Sequence, residues 1–146
     1  MSDIKKTDIK SVYVKSGDIV NDPTLIEKTK KYSPLTETSY YILIALVEPL
    51  HGYGVITKVD KMTHGRVKLA AGTLYGAFTT LLNNGLIERA GEDLENPRRI
   101  IYQITSLGES LIDFEISRLK AMVDDGIQER NKSHEKDKYM VLGLES

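Results

Sequence analysis

The sequence of 146 residues has no cysteine and no tryptophan, and it has only two phenylalanines. Without cysteine the chain has no disulfide, no thiolate metal ligand and no cysteine nucleophile, which favours the cytoplasm. Residues 1–6 (MSDIKK) lack the apolar segment of a signal peptide. The longest apolar run, residues 42–47, is far shorter than the ~20 residues that span a bilayer. We therefore expect a cytoplasmic protein without a membrane partner.

An excess of charge is also missing, because 20 basic residues nearly balance 21 acidic ones and the net charge is −1. The balance changes along the chain. Residues 51–105 carry seven basic against five acidic residues, whereas residues 106–146 carry six against nine. The positive middle is a weak sign of nucleic-acid binding. An ordinary solvated surface would give the same numbers.

Three helices are predicted in the first half of the chain. Thr36 is placed to cap a helix that is apolar nearly all round and extends to about Val47. A second helix is predicted over residues 52–62. The third begins near residue 71 with an apolar stripe and ends before Gly85, a residue type that is typical of helix ends.

Strand signals surround the third helix. Residues 66–69 alternate like a short strand, and residues 86–90 and 99–104 resemble the two arms of a hairpin. Residues 106–109 (SLGE) form a capping-box pattern, which predicts a long helix to about Arg130. The fold class is therefore mainly α with a small β-hairpin, a winged helix-turn-helix followed by a long C-terminal dimerisation helix.

A homodimer is predicted from two apolar surfaces. The helix that ends at Val47 and the broad stripe over residues 107–127 both exceed what one small core can cover. We predict a partly flexible N-terminal extension over residues 1–32 and a winged-helix domain over residues 33–105. A dimerisation helix over residues 106–130 and a tail over residues 131–146 follow.

Several motifs resemble those of the PadR-like transcriptional regulators, in order and in spacing. They are 35–43 (LTETSYYIL), 51–54 (HGYG), 72–77 (GTLYGA), 85–87 (GLI), 98–105 (RRIIYQIT) and Gly108. The resemblance covers residues 33–126, and the single C-terminal helix is similar to the shorter subfamily. It implies a homodimeric repressor that binds double-stranded DNA, is not an enzyme, and in several members is released by a small aromatic compound.

The third helix and the wing supply the predicted DNA-binding residues. Tyr75, whose role the resemblance implies, would donate its phenol to a phosphate, and Gly76 would permit close approach to the backbone. Threonine can contact a thymine methyl group and asparagine can pair with adenine. Arginine and lysine bind phosphates. The other candidates, which a merely solvated face would also explain, are Thr73, Thr79, Thr80, Asn83, Arg66, Lys68, Arg98 and Arg99.

The two predicted interface helices also supply candidates for an effector site. Tyr40, Phe114 and Met122 are large residues on the two predicted interface helices, and they are candidates to line a cleft for a small aromatic or lipophilic effector. The histidines have no metal-ligand spacing and no nucleophile motif is present, so we expect no cofactor, no metal and no catalysis.

The alternative to a DNA-binding regulator is a winged-helix protein-interaction module without DNA affinity. It is favoured by the near-neutral charge and by Phe78-Thr79-Thr80, where related recognition helices often carry a basic residue.

Overall fold

The computed structural model describes residues 23–141 and residue 143. Residues 1–22 of the predicted extension lie outside this part. The described residues form five helices and one antiparallel hairpin, in the order α1 (Pro23–Tyr32), α2 (Glu37–Ala45), α3 (Gly52–Met62), α4 (Ala71–Asn83), β1 (Ile87–Glu92), β2 (Ile100–Ile104) and α5 (Ser106–Val141). The predicted fold class is confirmed.

Helix α2 begins as its sequence predicts. The hydroxyl oxygen of Thr36 accepts a hydrogen bond from the Ser39 amide at 3.1 Å, which satisfies one of the free amides of the first turn. The helix ends at Ala45, two residues earlier than expected. There the Lys58 ammonium donates to the Ala45 carbonyl at 2.9 Å and pairs with Glu48 at 2.8 Å. Lys58 therefore closes a helix end and is not free for another partner.

Helix α4 buries the predicted stripe, since Leu74, Phe78 and Leu81 are at most 2 % exposed. Gly85 stops it with a positive φ of 71°. The Leu86 amide then donates to the Leu81 carbonyl at 2.9 Å, the bond that a Schellman motif requires. The predicted limits of this helix are confirmed.

The strand predicted over residues 66–69 is wrong. The Val67 amide donates to the Thr63 hydroxyl at 3.0 Å, so this segment is held as part of a turn. Instead, Leu50 forms a single antiparallel β-bridge with Tyr102 of β2. The Leu50 amide donates to the Tyr102 carbonyl at 3.0 Å, and the Tyr102 amide donates to the Leu50 carbonyl at 2.9 Å. A residue between two helices thereby ties α3 to the wing.

The wing is the hairpin of β1 and β2. Its register shifts between Arg89 and Gly91, and Gly91 has a φ of 119°. Such a bulge twists the strand locally. At the tip the Arg99 amide donates to the Asn96 carbonyl at 2.9 Å, and the Arg98 amide donates to the Asn96 side chain at 3.2 Å. The turn therefore places two arginines side by side at the start of β2.

Helix α5 is capped by Thr105, which corrects the predicted capping box on Ser106. The Thr105 hydroxyl oxygen accepts from the Gly108 amide at 3.1 Å and donates to the Gly85 carbonyl at 2.6 Å. Thr105 thus anchors the helix to the end of α4 as well as capping it. A Cβ on Gly108 would lie 2.3 Å from the Leu86 carbonyl oxygen, so only glycine allows this approach.

The chain divides into two compact units between Phe114 and Glu115. Helix α5 continues beyond its predicted end at Arg130 to Val141. Along this extension ion pairs such as Lys132–Glu129, at 3.4 Å, join successive turns of the helix, and such pairs stabilise a solvated helix.

Candidate nucleic-acid interface

The outer face of α4 is uncovered. Its five predicted members, Thr73, Gly76, Thr79, Thr80 and Asn83, are all exposed. The opposite face packs into the core, so the helix is held firmly while this side remains available. A helix in this position of a winged helix-turn-helix enters the major groove.

The two central threonines use their hydroxyl hydrogens within the helix. Thr79 donates to the Tyr75 carbonyl at 3.0 Å, and Thr80 donates to the Gly76 carbonyl at 3.4 Å. Each side chain therefore offers a partner a methyl group and an oxygen lone pair, but no donor. No atom outside the helix backbone lies within 4 Å of the position of a Cβ on Gly76, so the surface is flat there.

Tyr75 lies between the core and the outer face of α4. Its ring is 50 % exposed and packs edge-on against Phe78, with the ring centres 5.9 Å apart. Its phenol oxygen lies above the first turn of α3, where a Cβ on Gly52 would be only 2.6 Å away. Gly52 thereby leaves room for the phenol beside the amides that begin α3.

Helix α3, Tyr75 and the wing together line a pocket of about 180 Å³. Its lining residues are His51, Gly52, Tyr53, Tyr75, Arg98, Arg99, Ile100 and Tyr102. Two arginines, Tyr75 and the first residues of an 11-residue helix therefore line the same pocket. Guanidinium groups bind phosphate in a bidentate manner, and the amides at a helix N-terminus attract anions.

Five residues of the pocket were not among the predicted site residues: His51, Gly52, Tyr53, Ile100 and Tyr102. The first three lie far from the wing in sequence, and the pairing of Leu50 with Tyr102 helps to hold the start of α3 beside it. The sequence did contain a signal, because residues 51–53 belong to the motif 51–54 (HGYG). In the structure Tyr53 is 67 % exposed.

The two wing arginines are not equally free. Arg99 lies 3.9 Å from the Asp93 carboxylate, so its charge is partly balanced within the wing. No ion pair joins Arg98 to another residue of the described part of the chain. Arg98 is therefore the more available cation, and the Arg99–Asp93 contact is long enough to be exchanged for a phosphate at small cost.

Arg66 and Lys68 are engaged elsewhere. Arg66 donates to Glu37 at 2.6 Å and to the Tyr41 hydroxyl, and its guanidinium lies over the Tyr41 ring. The hydrogen bond with Glu37, reinforced by the charge of Tyr41, raises the pKa of Arg66 above its ordinary value. Lys68 lies 3.6 Å from Asp60. Both pairs are solvated, so they reduce the positive potential near α4 without removing these side chains from the surface.

The predicted effector residues do not line this pocket. Tyr40 is half-buried and packs edge-on against Tyr41, with the ring centres 5.6 Å apart. Phe114 is 36 % exposed, and Met122, which belongs to the second unit, is 56 % exposed. The effector site stays a prediction. Within the described residues no group of acidic and histidine side chains is arranged to hold a metal ion.

The fold and this surface define a winged-helix DNA-binding regulator. Residues 42–113 match the sequence profile of the family described as Transcriptional regulator PadR-like family. Residues 42–113 are therefore a PadR-like domain, and members of this family are transcription regulators rather than enzymes.

Solved structures of other regulators are similar in fold. A complex of RosR-S4 from H. salinarum is 24 % identical, with a TM-score of 0.53 over 79 % of this chain and 98 % of the other. A transcriptional regulator from Clostridium thermocellum is 23 % identical, with a TM-score of 0.54 over 68 % and 93 %. A point mutant of MepR from S. aureus is 16 % identical, with a TM-score of 0.53 over 82 % and 88 %.

No curated protein matches the chain. None of the helices in the described part combines the length and the apolar character that crossing a bilayer needs.

Proposed function

We propose that the protein is a homodimeric repressor that binds an inverted-repeat operator. Helix α4 enters the major groove with its outer face, while the pocket beside the wing holds a backbone phosphate. The observation that carries this proposal is the continuity of the two surfaces, because Tyr75 belongs to both α4 and the pocket. A regulator that acts in this way works in the cytoplasm, where bacterial and archaeal DNA is found.

The dimensions agree with this docking. Helix α4 has 13 residues, which corresponds to a length of about 20 Å, and the major groove is about 12 Å wide. With the outer face of α4 against the base edges, Arg98 and Arg99 stand at the flank of the helix, where the sugar-phosphate backbone passes. The phenol of Tyr75 faces the same backbone.

A mobility-shift titration against the DNA upstream of the gene, repeated over a salt series, tests this function. Sequence-dependent binding with a steep salt dependence supports a DNA-binding regulator. A protein-interaction module would give no shift at low salt. A reporter driven by the same DNA should become more active when the gene is deleted. A decrease in reporter activity would instead show that the protein is an activator.

The second copy is expected to bind along α5. Beyond Phe114 this helix exposes Met122, Val123 and Ile127, each more than half accessible, and three such neighbouring apolar side chains favour a partner surface. A twofold pair would place two α4 helices on half-sites about 34 Å apart.

Ile127→Glu should therefore shift the protein from dimer to monomer, because a carboxylate would be buried opposite its own symmetry mate. Gln128→Glu introduces the same charge at the next exposed position and should leave the dimer intact. Sedimentation velocity at micromolar concentration measures both. A parent protein that sediments only as a monomer would refute the dimer.

Gly52→Ala should weaken DNA binding without unfolding the protein. The added Cβ would lie 2.6 Å from the Tyr75 phenol oxygen, and the phenol can move because it ends a flexible side chain. Binding should then fall by about tenfold, as expected when a charged or strongly polar phosphate contact is lost. Gly54→Ala is the control, since its nearest contacts would be an ordinary 3.4 Å.

A double-mutant cycle links this effect to the phenol. Tyr75→Phe removes the hydroxyl, so adding Gly52→Ala to it should cost much less affinity than Gly52→Ala costs the parent. Fluorescence anisotropy measures the DNA affinities of the parent, the two single variants and the double variant. Full additivity would show that Gly52 acts through something other than Tyr75.

A further inference from the structure

We infer that the base pairs read by α4 are predominantly A·T and are recognised through thymine methyl groups rather than through guanine. This inference rests on the proposed function and specifies its target. Its first support is the composition of α4, AGTLYGAFTTLLN, which contains no charged residue. The commonest specific contact to guanine is a bidentate arginine or lysine, and α4 has neither.

The side chains that α4 presents are suited to A·T pairs. Thr79 and Thr80 donate their hydroxyl hydrogens to their own helix, so their methyl groups and lone pairs are left for the partner. A methyl group packs against the C5-methyl group of thymine, which cytosine lacks. The base readout at the centre of α4 is therefore apolar.

The end of α4 supplies one amide. The Asn83 side chain is exposed, and no hydrogen bond joins it to another residue of the described chain. Its carbonyl and amino groups match the donor and acceptor edge of adenine in the major groove. Gly76, one turn before Thr80, has open space on the outer face, so the helix can approach the bases closely there.

The two predicted cations in the segment before α4 are each paired with an acidic residue. Arg66 is held by Glu37 and Tyr41, and Lys68 lies beside Asp60. Arg98 and Arg99 line the pocket at the flank of α4, where the backbone and not the base edges would pass. Guanine is therefore without its usual partner on this surface.

Selection of binding sites from random duplex DNA, followed by replacement of single thymines with uracil, tests the inference. The selected half-sites should be rich in A·T pairs. Uracil lacks the C5-methyl group, so each replacement at a contacted position should weaken binding about fourfold, the amount expected for one buried methyl group. Replacements outside the half-sites should have no effect.

Thr79→Ser assigns the contact to a residue, because it removes the methyl group and keeps the hydroxyl. The variant should bind the thymine site about fourfold more weakly and should no longer distinguish thymine from uracil at one position. Thr57→Ser is the control, since the Thr57 hydroxyl also donates to its own helix, to the Tyr53 carbonyl at 3.0 Å, but lies on α3.

The outcomes separate the two proposals. Half-sites rich in G·C pairs, or binding that is indifferent to uracil throughout, would overturn the inference while leaving a DNA-binding regulator in place. Absence of any DNA complex at low salt would overturn the proposed function itself. If replacement of thymine by uracil weakens binding, and Thr79→Ser removes this effect, both the proposed function and the inference are supported.

Discussion

Gly108→Ala should destabilise the protein by about 3 kcal/mol, the upper part of the range for forcing an extra methyl group into a packed interior. The new Cβ would lie 2.3 Å from the Leu86 carbonyl oxygen and 2.6 Å from a side-chain carbon of Ile104. The Leu86 carbonyl cannot rotate away, because it accepts the Thr105 amide at 3.1 Å. Either the start of α5 or the end of α4 must therefore shift.

Thermal and urea unfolding measure this change, and a fall of about 10 °C in the melting temperature is expected for a chain of this size. Gly126→Ala is the matched control in the same helix. A Cβ there would have no neighbour within 4 Å, so the better helix propensity of alanine should stabilise the protein by about 1 kcal/mol. Equal effects of the two substitutions would contradict the close approach at Gly108.

Replacing Arg98 and Arg99 together with alanine should lower DNA affinity about a hundredfold at low salt, since each charged hydrogen bond to a phosphate contributes about tenfold. The slope of log K against log salt should fall by about 2, because two fewer counterions are released. All sequences should be affected alike, since the pocket contacts the backbone. Of the single variants, Arg98→Ala should cost more, because Arg99 is already paired with Asp93.

Arg130→Ala with Lys132→Ala changes the net charge by the same amount on exposed positions of α5. This control should leave both the affinity and the slope nearly unchanged. If the two double variants behaved alike, DNA binding would depend on the overall charge of the protein, and the pocket would have no special role.

Local features of the fold were predictable from sequence because neighbouring residues decide them. The limits of α4 follow from its apolar stripe and from Gly85, and the start of α2 follows from Thr36, whose cap is visible in the sequence. The start of α5 shows the limit of such patterns. Thr105 and Ser106 are both good capping residues, and the choice of Thr105 depends on its contact with Gly85, which no local pattern contains.

Features made by distant residues were not predictable. The pairing of Leu50 with Tyr102 joins positions that the sequence separates by two helices and a strand, and it helps to hold His51 and Tyr53 beside the wing. The full length of α5 was also missed. Residues 131–138 (NKSHEKDK) contain no apolar side chain, so hydrophobic periodicity, the main sequence signal for a helix, is interrupted there although the helix continues.

In the proposed DNA complex the uncharged α4 and the arginine-lined pocket would respond to different conditions. A rise in salt concentration would weaken only the ionic contacts, so it would lower the affinity for the operator and for competing DNA by the same factor. The inferred apolar contacts with thymine would respond to temperature instead, since burial of apolar surface stabilises less on cooling. Ionic conditions would thus set how much DNA the protein holds, and temperature would set how sharply it discriminates among sites.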